Sequence, residues 1–134
     1  MTPEELAKSG SEDAHQRALM SMAATHVHKY PELKWFHAIP NGGSRGDNKR
    51  SAMIRGAQLR ASGVKAGVLD TFLPVKRGPW SGLYIEMKRP GKLKSTSTEQ
   101  KEFIAFVKEQ GYAALVCDNW EDAWSAVIQY LEWR

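Results

Sequence analysis

Gly67-Val68-Leu69-Asp70, followed after a turn by Glu86-Met87-Lys88, is the stretch on which the reading of this chain rests. Thr71, Phe72, Leu73 and Val75 run into Lys76-Arg77-Gly78-Pro79-Trp80-Ser81-Gly82, and Leu83, Tyr84, Ile85 and Met87 return. Two β-rich runs around a Gly/Pro turn predict a hairpin with a longer loop. Alternation along a strand puts Glu86 and Lys88 on one face and Met87 on the other. Pairing across the hairpin brings Asp70 near Glu86. Two adjacent carboxylates repel unless a cation lies between them. A hard, oxygen-seeking ion such as Mg²⁺ suits the position, and Lys88 on the same face is placed to hold or deprotonate a water there.

Outward from this stretch, composition sets the frame. The 134 residues, 42% hydrophobic, make one domain with an ordinary core. A net charge of +4 suits a polyanionic partner. The single Cys117 closes the apolar run Ala113-Ala114-Leu115-Val116 and reads as a buried thiol rather than a nucleophile. One cysteine forms no internal disulfide, so nothing points to secretion. There is neither a signal peptide nor an apolar run of about 18 residues. A soluble, cytoplasmic protein without membrane contact is the expectation.

Residues 1–10 are polar and are expected to be loosely held. Ser11 reads as the N-cap of a helix to about Lys29. Glu12, Gln16, Leu19 and Ala23 follow helical spacing, so Glu12 is assigned to the apolar face, where a carboxylate needs a partner that a metal would provide. The plainer reading is that Glu12 complements the helix dipole. His26 and His28 are two apart on that helix and point away from each other, which disfavours zinc.

Lys34 to Ile39 reads as a strand ending at the turn Pro40-Asn41-Gly42-Gly43. Ser44-Arg45-Gly46-Asp47-Asn48-Lys49-Arg50 is either a solvated loop or a DNA-contacting one, with Arg45 and Lys49 as its candidate contacts. Ala52 to Ala61 is read as a short helix, stopped by Ser62-Gly63. The paired Gly63 and Gly67 imply tight backbone packing just before the site.

Lys76 and Arg77 at the hairpin tip, with Trp80, either engage a phosphate backbone and an unstacked base or form a loop with Trp80 folded against the sheet. Lys92 and Lys94 are candidates to neutralise phosphates. Ser97-Thr98-Glu99-Gln100 is a capping box opening a helix with Phe103, Ile104, Phe106 and Val107 on its core face, stopped by Gly111. Tyr112 to Cys117 reads as a fully buried strand. Asp118 or Asn119 caps a last helix lined by Trp120, Trp124, Val127, Ile128 and Leu131, leaving Tyr130 and Trp133 off the stripe. The order is helix, strand, helix, strand, strand, helix, strand, helix: an α/β domain over 11–134 with a small mixed β-sheet flanked by helices.

Asp70, the hairpin and Glu86-x-Lys88 resemble the PD-(D/E)xK restriction-endonuclease-like core. More of the chain resembles its VRR-NUC (virus-type replication-repair nuclease) branch. The matching pieces are Glu12, Ile39-Pro40-Asn41-Gly42-Gly43, Gly63-Val64-Lys65-Ala66-Gly67-Val68-Leu69-Asp70, Ile85-Glu86-Met87-Lys88, Ser97-Thr98-Glu99-Gln100 and Gly111-Tyr112. They span roughly residues 11 to 131. Where the family usually has Pro before the Asp, this chain has Leu69. The resemblance implies a Mg²⁺- or Mn²⁺-dependent DNA endonuclease. Asp70, Glu86 and the Met87 carbonyl would hold the metal, Glu12 would serve the same or a second ion, and Lys88 would be catalytic, with Gln100 in support. Small members of this kind look like phage nucleases acting on branched DNA, which implies an enzyme like a Holliday-junction resolvase. The alternatives are a flap or single-strand nuclease and an inactive DNA-binding module. Two opposed nicks call for two centres, so a homodimer is expected. The surplus of aromatics, five Trp among them, and the unplaced Tyr130 and Trp133 agree with this unless they pack within their own chain.

Overall fold

The structure, a computed structural model, describes residues 1–40 and 49–134. Those residues form helices α1 (Pro3–Leu6), α2 (Glu12–Thr25), α3 (Lys49–Ala61), α4 (Thr98–Glu109) and α5 (Trp120–Leu131). The strands are β1 (His37–Ala38), β2 (Thr71–Leu73), β3 (Leu83–Met87) and β4 (Ala113–Cys117). They lie in the order β1-β2-β3-β4, antiparallel except for the parallel pair β3–β4. The mixed α/β architecture and the β2–β3 hairpin are those expected. No described helix is long and apolar enough to cross a membrane.

The period of two along β3 divides the molecule. Leu83, Ile85 and Met87 enter the main core with Ala18, Leu19 and Ala23 of α2 and Ala123, Val127 and Leu131 of α5. Full burial of each large aliphatic side chain contributes about 1.5–3 kcal/mol. On the opposite face a smaller cluster forms from Leu69, Ala114 and Val107, with Tyr84, Phe103, Ile104 and Tyr112 packed against it. That second face carries α4, and Glu86 and Lys88 share it by alternation.

Several expectations change. Within residues 1–10, Thr2 caps α1, and Leu6 and Ala7 pack against the main core. Lys34–Ile39 is only partly strand, because Pro31 opens a 3-10 turn over Pro31–Trp35 and leaves β1 two residues long. Among the described residues β4 pairs with β3 alone and forms an edge of the sheet, and Leu115 is 40% exposed. Tyr130 and Trp133 find partners in their own chain, at the hairpin tip, whereas Trp124 packs on His26 at the end of α2. Tyr130 is buried and its hydroxyl donates to the Val75 carbonyl at 2.5 Å, while Trp133 meets Trp80 edge-on at 4.8 Å between ring centroids. Tyr130 is thus accounted for within the chain, while Trp133 stays 49% exposed.

The N-terminus of α5 is tied to α2 by a contact the sequence did not announce. Asn119 accepts from the Asp122 N–H at 2.7 Å, and buried His15 accepts the Trp120 N–H at Nδ1, 3.0 Å away. Both bonds satisfy donors that a helix end leaves without an intrahelical partner. His15→Ala should leave the Trp120 N–H unpaired in a buried place and cost about 1–3 kcal/mol. Denaturant unfolding measures it, and an unchanged midpoint would show that the bond contributes nothing.

Candidate active site

The hairpin register pairs Thr71 with Ile85, Phe72 with Tyr84 and Leu73 with Leu83. Continued by one residue, it sets Asp70 opposite Glu86. The two are cross-linked through the backbone: the Asp70 N–H donates to Glu86 Oε1 at 3.2 Å, and the Met87 N–H donates to Asp70 Oδ2 at 3.1 Å. Ile39 N–H donates to the Asp70 carbonyl at 2.7 Å, which fastens Asp70 to the β1 side as well. Glu86 is only 3% exposed and Lys88 8%. Burial raises the Glu86 pKa to about 8, helped by the charge of Asp70 and a hydrogen bond with it; Lys88 and a hydrogen bond with Gln100 pull the other way.

Lys88 is anchored at both ends. Its N–H donates to the Cys117 carbonyl at 2.8 Å, continuing the β3–β4 ladder. Its Nζ donates to Gln100 Oε1 at 2.9 Å and lies 3.7 Å from Glu86 Oε2. The Gln100 oxygen also accepts the Ser97 N–H at 3.1 Å, and the Ser97 hydroxyl accepts the Gln100 N–H at 3.1 Å, which completes the expected capping box. One side chain thus closes the helix end and holds the buried lysine. The box was visible in the sequence; that its oxygen is shared with Lys88 was not, because no local pattern reports a partner on another strand.

Leu69, which stands where the family usually has Pro, is fully buried in the cluster under α4 with Val107 and Ala114. Packing there supplies a constraint on the segment leading into Asp70. Cys117 is buried, and burial together with Asp122 and Asp118 raises its thiol pKa to about 11, which leaves it an inert core residue.

Other candidates fall elsewhere. Glu12 is exposed in the first turn of α2. The buried residues at that end of α2 are Ala14 and His15. No group of three His, Cys, Asp or Glu residues able to hold a metal occurs among the described residues, so Glu12 joins no such group with Asp70 and Glu86. Arg77 is engaged within the chain: Nε donates to the Leu131 carbonyl at 3.0 Å, Nη1 to the Lys76 carbonyl at 2.8 Å, and Nη2 pairs with Glu32. It secures the C-terminal end of α5. Trp80 packs against Tyr130 and Trp133, the folded-back alternative. Lys49, Lys76, Lys92 and Lys94 are exposed. Lys92 and Lys94 line an open depression with Gly91, Leu93, Ser95 and Asp118. Arg45 and the Gly42-Gly43 turn lie outside the described residues.

The fold that carries the cross-linked acid pair and the buried lysine has a counterpart among solved structures. Among solved structures, one described as a VRR_NUC domain protein matches with a TM-score of 0.68 and 26% sequence identity, over 91% of this chain and 88% of that one. No curated protein matches the chain. The model of the VRR-NUC domain family matches residues 11–120, nearly the whole of the fold and every residue of the site. The chain belongs to the VRR-NUC domain family, whose fold is a nuclease fold.

Proposed function

We propose that this protein is a metal-dependent DNA endonuclease that hydrolyses phosphodiester bonds in branched DNA, in the manner of a Holliday-junction resolvase, and that it acts as a homodimer. The observation that carries the nuclease reading is the Asp70–Glu86 pair with Lys88 Nζ 3.7 Å from Glu86. Burial, with Asp70 beside it, holds the Glu86 carboxyl above its usual range even with Lys88 near, and a cation bound between the two acids would favour their ionised forms. Two carboxylates fit Mg²⁺ or Mn²⁺, since an ion of this class is bound by one or two carboxylates and keeps waters and substrate phosphate as its other ligands. Asp70 and Glu86, with the Met87 carbonyl, would hold it; when bound, it polarises the phosphate and makes water a better nucleophile. Glu12, exposed at its helix end, is left out of this set.

The remaining work falls to the chain. Gln100 fixes the Lys88 ammonium, whose position beside Glu86 orients the attacking water and offsets charge developing on the phosphate oxygens. A lysine already held by a hydrogen bond needs no reorganisation as that charge appears. Exposed Lys92 and Lys94, on the chain just after Lys88, neutralise flanking phosphates, and Lys76 and Lys49 add to the field. The branched substrate is supported by the resemblance to small nucleases of this type. The dimer is supported by the need for two opposed nicks, because one chain carries one Asp70/Glu86/Lys88 centre.

Glu86→Gln and Lys88→Ala should both abolish nicking of four-way junction DNA while circular dichroism shows an intact fold. Wild type should cut at paired, symmetric positions. Equal nicking by wild type and Glu86→Gln in highly purified samples would sink the assignment, and cutting confined to flaps would replace the junction resolvase with a flap nuclease.

Binding of DNA should weaken steeply with salt. Lys92→Ala with Lys94→Ala should lower the log–log salt slope by about 1 for each phosphate left without its lysine. Arg77→Ala should leave that slope unchanged and lower stability instead, because its guanidinium is engaged by Leu131 and Glu32. A slope that responds to Arg77 and not to the lysines would reverse the placement of the DNA.

A further inference from the structure

We propose that Gly67 is a positioning residue for Lys88, acting through the first turn of α4; the proposal rests on the nuclease reading above. Gly67 has φ +90°, and a Cβ built there would stand 2.4 Å from the Glu99 carbonyl oxygen and 2.6 Å from its carbon. Those are backbone atoms of α4 and cannot rotate aside. Two residues later Leu69 packs against Val107 of the same helix. The segment that delivers Asp70 therefore meets α4 twice, at the peptide of residue 99 and at the side chain of residue 107.

The residue after Glu99 is Gln100. Its oxygen must reach Lys88 Nζ, now 2.9 Å away, from the first turn of α4. Lys88 is fixed from the sheet side by its bond to Cys117. The span between helix and sheet at this point is set by how closely the chain at residue 67 approaches the Glu99 peptide. A side chain there pushes that peptide back: ordinary contact begins at 3.4 Å, so the first turn must withdraw by about 1 Å. A hydrogen bond of 2.9 Å does not survive such a shift. Lys88 then loses its fixed partner and, with it, its set position beside Glu86.

Gly63 supplies the control. It has φ +105°, and a Cβ there meets nothing within 4 Å. Gly63→Ala imposes comparable backbone strain without the contact. In the full chain, kcat and KM for junction nicking should be measured for Gly67→Ala, Gly63→Ala, Gln100→Ala and the Gly67→Ala/Gln100→Ala double variant. Gly67→Ala should lower kcat by about tenfold or more with KM little changed. Gly63→Ala should stay within about twofold of wild type, and the double variant should be no slower than Gln100→Ala, since a residue acting through Gln100 has nothing further to disturb. Equal losses at the two glycines, or losses that multiply in the double variant, overturn the proposal. If Gly67→Ala does not fold, Ser97→Ala loosens the same turn from its exposed side. It should lower kcat in the wild-type background, with recovery in Ser97→Asp, and have no effect in the Gln100→Ala background; an unchanged kcat overturns the proposal. The side-chain amide resonances of Gln100 give a reading independent of activity. They should move in Gly67→Ala, or in Ser97→Ala where that variant stands in, and stay in place in Gly63→Ala. That result in a protein that does not nick DNA would retire the nuclease reading and keep the positioning, whereas unmoved resonances in Gly67→Ala overturn the positioning whatever the activity.

Discussion

Two carboxylates held against each other in a place with little water are the constraint around which this molecule is arranged. Asp70 and Glu86 meet because β2 and β3 pair in one register, and each accepts a backbone N–H from the other's strand. A slip of one residue would turn Glu86 and Lys88 into the core occupied by Ile85 and Met87. The apolar side chains of β3 prevent this, since Leu83, Ile85 and Met87 are all at most 1% exposed against α2 and α5. Ordinary hydrophobic burial on one face thus enforces an electrostatically unfavourable meeting on the other.

The two faces divide the labour. The α2/α5 face contains the larger core and the contacts that close it, including His15 on the α5 N-terminus and Arg77 at its C-terminal end. The α4 face is smaller and carries the candidate site. There Leu69 and Val107 hold the helix to the segment before Asp70, and Gln100 spans from helix to sheet to reach Lys88. A catalytic side chain supported by a capped helix end and a strand ladder is better fixed than one on a loop.

The sequence disclosed what depends on short periods. Alternation placed Glu86 and Lys88 together, and the Ser97–Gln100 spacing marked the helix start that the structure shows. It did not disclose what depends on partners far along the chain. Arg77 looked like a free cation at a loop tip until Glu32 and Leu131 were seen to meet it. Tyr130 lay off the stripe of α5 because the hairpin tip, with Val75 and Trp80, covers it, and Trp133 meets Trp80 edge-on at the same tip. The run Ala113–Cys117 read as buried on both sides because hydrophobicity alone does not tell an edge strand from a central one. Glu12 was assigned by angular position, and the structure leaves it exposed in the first turn of α2 while Ala14 and His15 beside it are buried.

The central claim is that the Asp70–Glu86 pair is built for a cation. Thermal unfolding across pH, with and without Mg²⁺, for wild type and Glu86→Gln tests it most directly. Without metal, the Glu86 pKa is raised from 4.5 to about 8. The folded state therefore holds a proton that the unfolded state has lost within that window, and stability must fall as pH rises through it. The account predicts that metal-free wild type is less stable at pH 8 than at pH 5, that Mg²⁺ restores the loss, and that Glu86→Gln shows neither the fall nor the rescue. A wild type whose stability is indifferent to Mg²⁺ at pH 8, or a Glu86→Gln variant stabilised by the ion as much as wild type, would contradict it.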